Sequence, residues 1–338
     1  MMEAWKLRPG QGIDSLELVK TEKEPLKHAE VRVSIKANSI NARDMMVAMG
    51  QSPMPVAEEL TPLSDGAGLV TEVGDGVTRV APGDRVVIAF NPAHQTGLFE
   101  AWMGASALGE LRTGLLSRET VIEEMALVKL PQNVSYEQAA CLPCVGVTAW
   151  NALFEIDQFM PGQTVLSTGT GMLSLMALQL AKAAGARVGI TSSNDQKLEQ
   201  VRSLGADFTI NYRANPEWDH AVREATHGAG ADIVLETAGP PSIATSVKAA
   251  AHGGRVMQIG LKEMEGPPIS PLDLLVNSVK IYPVMVGSRA MLERLVTYVS
   301  NNELTMPISG EFKFEEAPEA FNFFASGGSF GKVVISTN

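Results

Sequence analysis

Thr164-Val165-Leu166-Ser167-Thr168-Gly169-Thr170-Gly171-Met172-Leu173-Ser174 is the stretch that decides the fold. A short apolar run enters a glycine turn, and an apolar helix pattern follows from Met172 to Ala184. A second strand-like run, Arg187-Val188-Gly189-Ile190-Thr191, then ends in Ser192-Ser193. Strand, glycine turn, helix and strand at this spacing predict a βαβ dinucleotide-binding unit. Free N–H groups of the turn and the helix N-terminus attract a pyrophosphate there. Gly169, Thr170, Gly171, Met172 and Leu173 are the residues expected beside it. Gly169-x-Gly171-x-x-Ser174 departs from the usual pattern at its third glycine, where serine is the next smallest residue compatible with close helix–strand packing. A glycine turn alone can be purely structural; the flanking elements carry the assignment.

The residue about twenty positions after the first glycine faces the adenosine ribose. A carboxylate there would bond the ribose hydroxyls and repel a 2′-phosphate. Ser192 and Ser193 instead leave room, donate hydrogen bonds and add no charge, and Lys197 lies a few residues on. NADPH is therefore the expected cofactor. Ser193 or Asn194 also suits the N-cap of a helix over 195–204, a role compatible with phosphate binding. Tyr212 and Arg213 end the third strand and either cover the adenosine or lie in an exposed loop.

The 338 residues suffice for two domains, and 45% apolar content is that of a globular chain. A net charge of −11 disfavours nucleic acid and anionic membrane surfaces as general partners, leaving a small-molecule substrate. The two cysteines, Cys141 and Cys144, are too close to staple distant segments, so a reducing, cytoplasmic setting is expected. The first residues hold Glu3, Lys6 and Arg8 and no apolar core of a signal peptide. The most apolar stretch, Met172 to Ile190, is interrupted by Lys182, Arg187 and glycines and reads as helix plus buried strand, with no membrane span.

Up to about residue 128 short strand-like runs alternate with turns, as in Val31-Arg32-Val33-Ser34-Ile35, Gly68 to Gly74 and Pro82 to Ile88. This predicts an antiparallel, partly barrel-like domain. Residues 91–116 read as a long loop. From about 130 the texture changes. Ser135-Tyr136-Glu137-Gln138 opens a helix with a capping-box pattern. Strands are expected at 164–168, 187–191, 208–210, 232–236, 255–259 and 280–286, with helices starting near 172, 195, 216 and 242. Pro216 suits a first helical turn and Gly205 a helix end. This alternation predicts an α/β fold with a doubly wound parallel sheet. The tail carries two helix patterns, around Met291–Val299 and Ala317–Phe324, and a closing strand Lys332-Val333-Val334-Ile335 expected to return to the first domain.

Several motifs together resemble the medium-chain dehydrogenase/reductase superfamily over nearly the whole chain. They are Asn38-Ser39-Ile40-Asn41-Ala42-Arg43-Asp44, Leu63-Ser64-Asp65-Gly66-Ala67-Gly68, Pro82-Gly83-Asp84-Arg85-Val86, Leu142-Pro143-Cys144 to Trp150, Ala184-Gly185-Ala186, Leu204-Gly205-Ala206-Asp207 and Phe330-Gly331-Lys332-Val333-Val334. The chain looks most like the zinc-free, quinone-oxidoreductase-type branch, some of whose members are labelled zinc-type alcohol dehydrogenases. The resemblance implies a GroES-like catalytic domain over 1–128 and 275–338, a Rossmann domain over 129–274, and a homodimer, for which the edge strand around Ile281 to Val286 is a candidate surface despite Pro283.

Zinc-dependent members supply a cysteine, a histidine–glutamate pair and a later cysteine. The resemblance matches these places here to Asn41, Ser64 followed by Asp65, and Cys144. One soft ligand does not rebuild a three-ligand catalytic site, and residues 91–116 hold no cysteine for a structural zinc, so no metal is expected. Cys144 then reads as an apolar packing residue, with redox sensitivity as the alternative.

The resemblance implies that Asn41 donates a hydrogen bond to a developing oxyanion, although asparagine also forms turns. Asp44 is either a second polar site residue or a loop buttress. Thr148 matches a threonine near the nicotinamide, or bonds back to its own helical turn. The loop Asp44 to Gln51 lacks the tyrosine used by some enoyl-thioester reductases, and Met45, Met46, Met49 and Met54 either line a pocket or pack as core. Gly239, Gly260 and Leu261 follow the fourth and fifth strands, at the cofactor crevice of a doubly wound sheet. Val286, Gly287 and Ser288 follow the sixth and are expected near the nicotinamide, and Lys332 is expected to touch the cofactor. The expected activity is zinc-independent, NADPH-dependent hydride transfer to a quinone or α,β-unsaturated carbonyl. The alternatives are an NADP-dependent alcohol/ketone dehydrogenase and a non-catalytic NADPH-binding protein.

Overall fold

The computed structural model describes residues 2–260 and 265–337. It divides into two compact units, Met1–Val147 with Val286–Asn338, and Thr148–Met285. These bounds differ from the expected 128/129 and 274/275. The helix Tyr136–Ala140 packs on the strands Glu30–Ile40 and Asp65–Val73, which keeps its segment with the first unit. The strand Lys280–Pro283 pairs with Ala250–Gln258, which keeps that segment with the second.

The second unit is built on a six-stranded parallel sheet in the order Phe208–Asn211, Arg187–Ser192, Thr164–Thr168, Ala231–Glu236, Ala250–Gln258 and Lys280–Pro283. The order reverses beside Thr164–Thr168, the arrangement of a doubly wound fold. Helices Met172–Ala183 and Asp195–Ser203 start where the sequence predicts. The next two begin at Trp218 and Pro240, so Pro216 lies outside its helix while Pro240 takes the first helical position. The sixth strand stops at Pro283, earlier than expected, at a residue with no N–H for the ladder.

Two motifs of the sequence are helix stops. Gly185 has φ +83° and Gly205 has φ +101°. Gly185 N–H donates to the Lys182 carbonyl and Ala186 N–H to that of Ala181. Gly205 and Ala206 repeat the pattern onto Arg202 and Val201. Both are Schellman turns, which satisfy the last carbonyls of a helix and need a residue free to adopt positive φ. Asp207 then accepts from the Val188 N–H and pairs with Lys182, tying one strand–helix unit to the next.

In the first unit a seven-stranded sheet runs Ile308–Lys313, Lys332–Ser336, Glu30–Ile40, Asp65–Val73, Arg85–Ile88 and Leu127–Lys129, with Glu119–Glu123 also pairing with Glu30–Ile40. The pairs are antiparallel except that of Ile308–Lys313 with Lys332–Ser336, and the sequence pattern does not anticipate the former strand. Alternating Val31, Val33 and Ile35 face a core with Val70, Val86, Ile88 and Leu115. The tail returns as expected: Val333 pairs opposite Ile40. The segment 91–116 is mostly irregular but contains the 3₁₀ turns of Ala101–Ser106. Among the described residues no helix is long and apolar enough to cross a membrane.

Gly68 faces the neighbouring strand so closely that a Cβ there would lie 2.2 Å from the Ser34 carbonyl oxygen. The obstructing atoms are the backbone of Ser34 and the buried Val33 side chain, which leaves no cheap relief. Gly68→Ala is expected to lower the urea midpoint by the equivalent of about 3 kcal/mol. An unchanged midpoint would show that the sheet relaxes freely at this point.

Candidate functional site

The glycine turn of the second unit is open and uncapped. Gly169 has φ +88°, a conformation natural to glycine. Gly171 occupies the N-cap of Met172–Ala183, no side chain among the described residues caps the helix, and a Cβ on Gly171 would meet nothing within 4 Å. The first N–H groups of the helix are therefore available to an anion that can approach the backbone closely. Thr191 Oγ1 accepts from the Gly169 N–H at 3.3 Å, and the Thr170 and Ser192 hydroxyls lie 3.3 Å apart. This coupling joins the turn to the end of the second strand. Ser174 explains itself as well: it is fully buried, and its hydroxyl accepts from Ser167 at 2.8 Å, binding helix to strand where a glycine would merely pack.

At the adenosine end, Ser192 is buried and accepts from the Asn194 N–H, while Ser193 is partly exposed. Asn194, one of the two expected caps, accepts from the Lys197 N–H at 3.1 Å. Tyr212 and Arg213 are exposed, and Asp195 is tethered by the Asn211 amide at 2.7 Å.

Sequence reasoning does not single out Glu236. It ends an apolar strand, has no exposure, and accepts from the Thr168 hydroxyl, the Ala238 and Gly239 N–H groups, and the Ser242 and Ser246 hydroxyls. It shapes the turn that carries Gly239. A carboxylate closing an otherwise buried strand is the available signal, since a buried charge demands such partners. Gly260 abuts that turn: a Cβ on it would lie 2.1 Å from the Thr237 carbonyl oxygen. Gly260 therefore serves close backbone approach, whereas Gly239 supplies a positive φ of +104° and commits its N–H to Glu236. Leu261 lies outside the described residues. Thr148 is buried at the start of the second unit, between the π-helical segments Leu142–Gly146 and Asn151–Glu155.

In the first unit the residues around Asn41 form a buried polar cluster. Asn41 caps the helix Ala42–Ala48, and its N–H donates to Asp44 Oδ2 at 2.8 Å. Arg43 Nη1 donates to Asp44 Oδ1 and to the Leu108 carbonyl, and its other terminal nitrogen is 2.9 Å from Glu110. Burial pushes the Asp44 carboxyl up to about 6, with Arg43 and the Asn41 N–H pulling the other way. Asp44 thus buttresses the Asn41 turn, one of the two roles foreseen for it.

Lys332 departs from expectation. It has no exposure, and its ammonium donates to the Asn41 Oδ1 at 2.7 Å and the Ile40 carbonyl at 3.1 Å, with Asp65 Oδ2 at 3.6 Å. Its donors are spent inside the unit, which leaves no surface for the expected cofactor contact. Val286, Gly287 and Ser288 also belong to the first unit, where Ser288 caps the helix Arg289–Asn301. Met45 packs in the core with Ile40 and Leu63, while Met49 and Met54 are exposed.

These donors do not fit a zinc ion. Asp65 is held by the Lys332 ammonium and by the Ser64 and Ser39 hydroxyls, and the Asn41 oxygen faces the same ammonium. A cation already sits among the oxygens. Burial pushes the Cys144 thiol upward and the Cys141 thiol up to about 12, which opposes the thiolate a metal needs. Among the described residues no group of three or more His, Cys, Asp or Glu is placed to hold a metal. What the cluster leaves uncommitted is a donor: Asn41 Nδ2 is buried and has no hydrogen-bond partner among the described residues.

Comparison with known proteins agrees with this two-part organisation. Residues 27–132 match the alcohol dehydrogenase GroES-like domain and 173–301 the zinc-binding dehydrogenase domain. A zinc-type alcohol dehydrogenase-like protein of Schizosaccharomyces pombe is 37% identical over 318 residues, covering 92% of each chain. A quinone oxidoreductase-like protein 2 homolog of Nematostella vectensis is 31% identical, covering 93% of this chain and 83% of its own. Among solved structures, a Sinorhizobium meliloti protein provisionally described as an alcohol dehydrogenase superposes with a TM-score of 0.91 at 36% identity, all of both chains being covered. An NAD-dependent alcohol dehydrogenase does so with 0.89 at 31% identity and the same coverage. The chain belongs to the medium-chain dehydrogenase/reductase superfamily of oxidoreductases, whose members use a nicotinamide cofactor.

Proposed function

We propose that this chain is a zinc-independent, NADPH-dependent oxidoreductase that delivers hydride to a quinone or an α,β-unsaturated carbonyl. The observation that carries this reading is the Asn41 amide: its oxygen is held by Lys332 and its buried nitrogen is a donor without a partner among the described residues. A site organised around an N–H donor suits acceptors whose reduced anions are delocalised and need less polarisation than a simple ketone offered to a metal. A bound reduced nicotinamide supplies the hydride.

The chain's own residues do the rest. The N–H groups following Gly169 and Gly171 hold the diphosphate, with Thr170, Met172 and Leu173 completing the turn. Ser192, Ser193 and Lys197 receive the 2′-phosphate, Tyr212 borders the adenosine, and Gly239 and Gly260 shape the turns that border the cofactor. Thr148 holds the nicotinamide end. Asn41 donates to the acceptor oxygen as negative charge develops on it, while Asp44 fixes the Asn41 backbone; the oxygen is finally protonated from solvent. The alcohol dehydrogenase descriptions of two structural neighbours favour a second reading, a dehydrogenase acting on alcohols and ketones.

A homodimer in a cytoplasmic setting belongs to the same proposal. Leu272, Leu275 and Val276 of the helix Pro271–Asn277 are 63%, 75% and 62% exposed, and the strand Lys280–Pro283 of the same unit has an open edge. A second copy covers both at once.

Three outcomes are expected. NADPH oxidation by a panel of quinones, enones, aldehydes and ketones is fastest with the first two classes, proceeds without stoichiometric zinc, and falls on the order of 100-fold in kcat for Asn41→Ala; turnover confined to alcohols and ketones would establish the second reading. NADPH binds more tightly than NADH by fluorescence titration, and Ser193→Asp narrows that ratio by about 10-fold through repulsion of the 2′-phosphate; an NADH preference in the unaltered protein would overturn the serine argument. Sedimentation shows a dimer that Leu275→Asp dissociates, whereas a monomer at micromolar concentration would remove that part of the proposal.

A further inference from the structure

The Asn41 amide could in principle be turned either way, presenting oxygen or nitrogen. Lys332 decides which. An ammonium has only donors, so the group facing it across 2.7 Å must be the amide oxygen. The remaining atom, Nδ2, is then the donor left over, and it is buried without a partner among the described residues. Lys332 is itself immobilised: it has no exposure, donates to the Ile40 carbonyl, and is paired with Asp65, also without exposure. Ser64 and Ser39 hold that carboxylate in turn.

From this geometry we infer that Lys332 is a positioning residue which locks the Asn41 amide in one orientation, so that the site always presents an N–H donor and never a carbonyl. The inference deepens the proposed function and rests on it only for the catalytic consequence. A flipped amide would place oxygen against a developing oxyanion, and the lock removes that state. It also gives the Lys332–Asp65 pair a purpose beyond stability. A covalently attached cation organises the oxygens and leaves Nδ2 as the donor that the proposed activity would use. An orphaned buried N–H costs about 1–3 kcal/mol, so its persistence is accounted for when an acceptor completes it during function.

The test uses the full-length protein labelled with ¹⁵N-asparagine. The Asn41 side-chain amide proton pair is identified by its loss in Asn41→Asp. In the unaltered protein this pair is expected to be sharp and slow to exchange with water. Lys332→Met removes the lock. Because that variant strands a buried carboxylate and is prone to unfold, the charge-neutral double variant Lys332→Met/Asp65→Ala is measured beside it. The pair is expected to shift, broaden and exchange at least about 10-fold faster in a folded variant. An unchanged pair in the folded double variant overturns the lock. In the same variant kcat with the best acceptor falls on the order of 100-fold while the NADPH Kd stays within about twofold; an unchanged kcat overturns the positioning role. If the unaltered protein reduces no acceptor, the proposed activity fails, and the amide spectrum still decides whether Lys332 holds Asn41.

Discussion

A lysine ammonium and an aspartate carboxylate, both removed from solvent, hold the first unit together at its centre. Lys332 opens the closing strand, Asp65 opens the strand Asp65–Val73, and Ile40 ends Glu30–Ile40 with Asn41 just beyond it. Three stretches far apart in sequence thus converge on one charge pair. Taking two ions out of water costs several kcal/mol each, and their attraction offsets this only when the remaining donors and acceptors are also met. The Ile40 carbonyl, the Asn41 oxygen and two serine hydroxyls meet them here. Removal of either ion leaves the other stranded, so the pair fixes strand register as well as local chemistry.

The second unit solves an analogous problem differently. Its buried carboxylate, Glu236, is surrounded by hydroxyls and backbone N–H groups from the turns it shapes. Such a ring of donors disperses charge while aligning the loops that the proposed function assigns to the nucleotide. One unit therefore uses charge against charge to set a donor, and the other uses dipoles to set a cradle.

Much of this organisation is legible in the amino-acid sequence. The βαβ core can be read because strand and helix periods alternate around glycines whose positive φ is chemically distinctive, and the stops at Gly185 and Gly205 are local features. Less local facts are not legible there. The unit boundaries depend on where Tyr136–Ala140 packs, which no nearby residue announces. The strand Ile308–Lys313 is short and contains Gly310, which weakens its pattern. The motif around Lys332 singles it out but points it at the cofactor, because sequence gives a residue's position along a strand and not the side chains that surround it. Asn41 stands out in the sequence as a polar site candidate, but the commitment of its oxygen depends on a lysine 291 positions away.

The paired hydroxyls of Ser167 and Ser174 carry a lesson for anyone editing this chain by comparison with its relatives. Restoring glycine at 174 would regularise the fingerprint yet leave the Ser167 oxygen sealed in the interior with its mate deleted, a loss of about 1–3 kcal/mol. The two positions must be inherited or exchanged together. A single exchange at either position strands the other hydroxyl, so only a paired exchange keeps the interior satisfied.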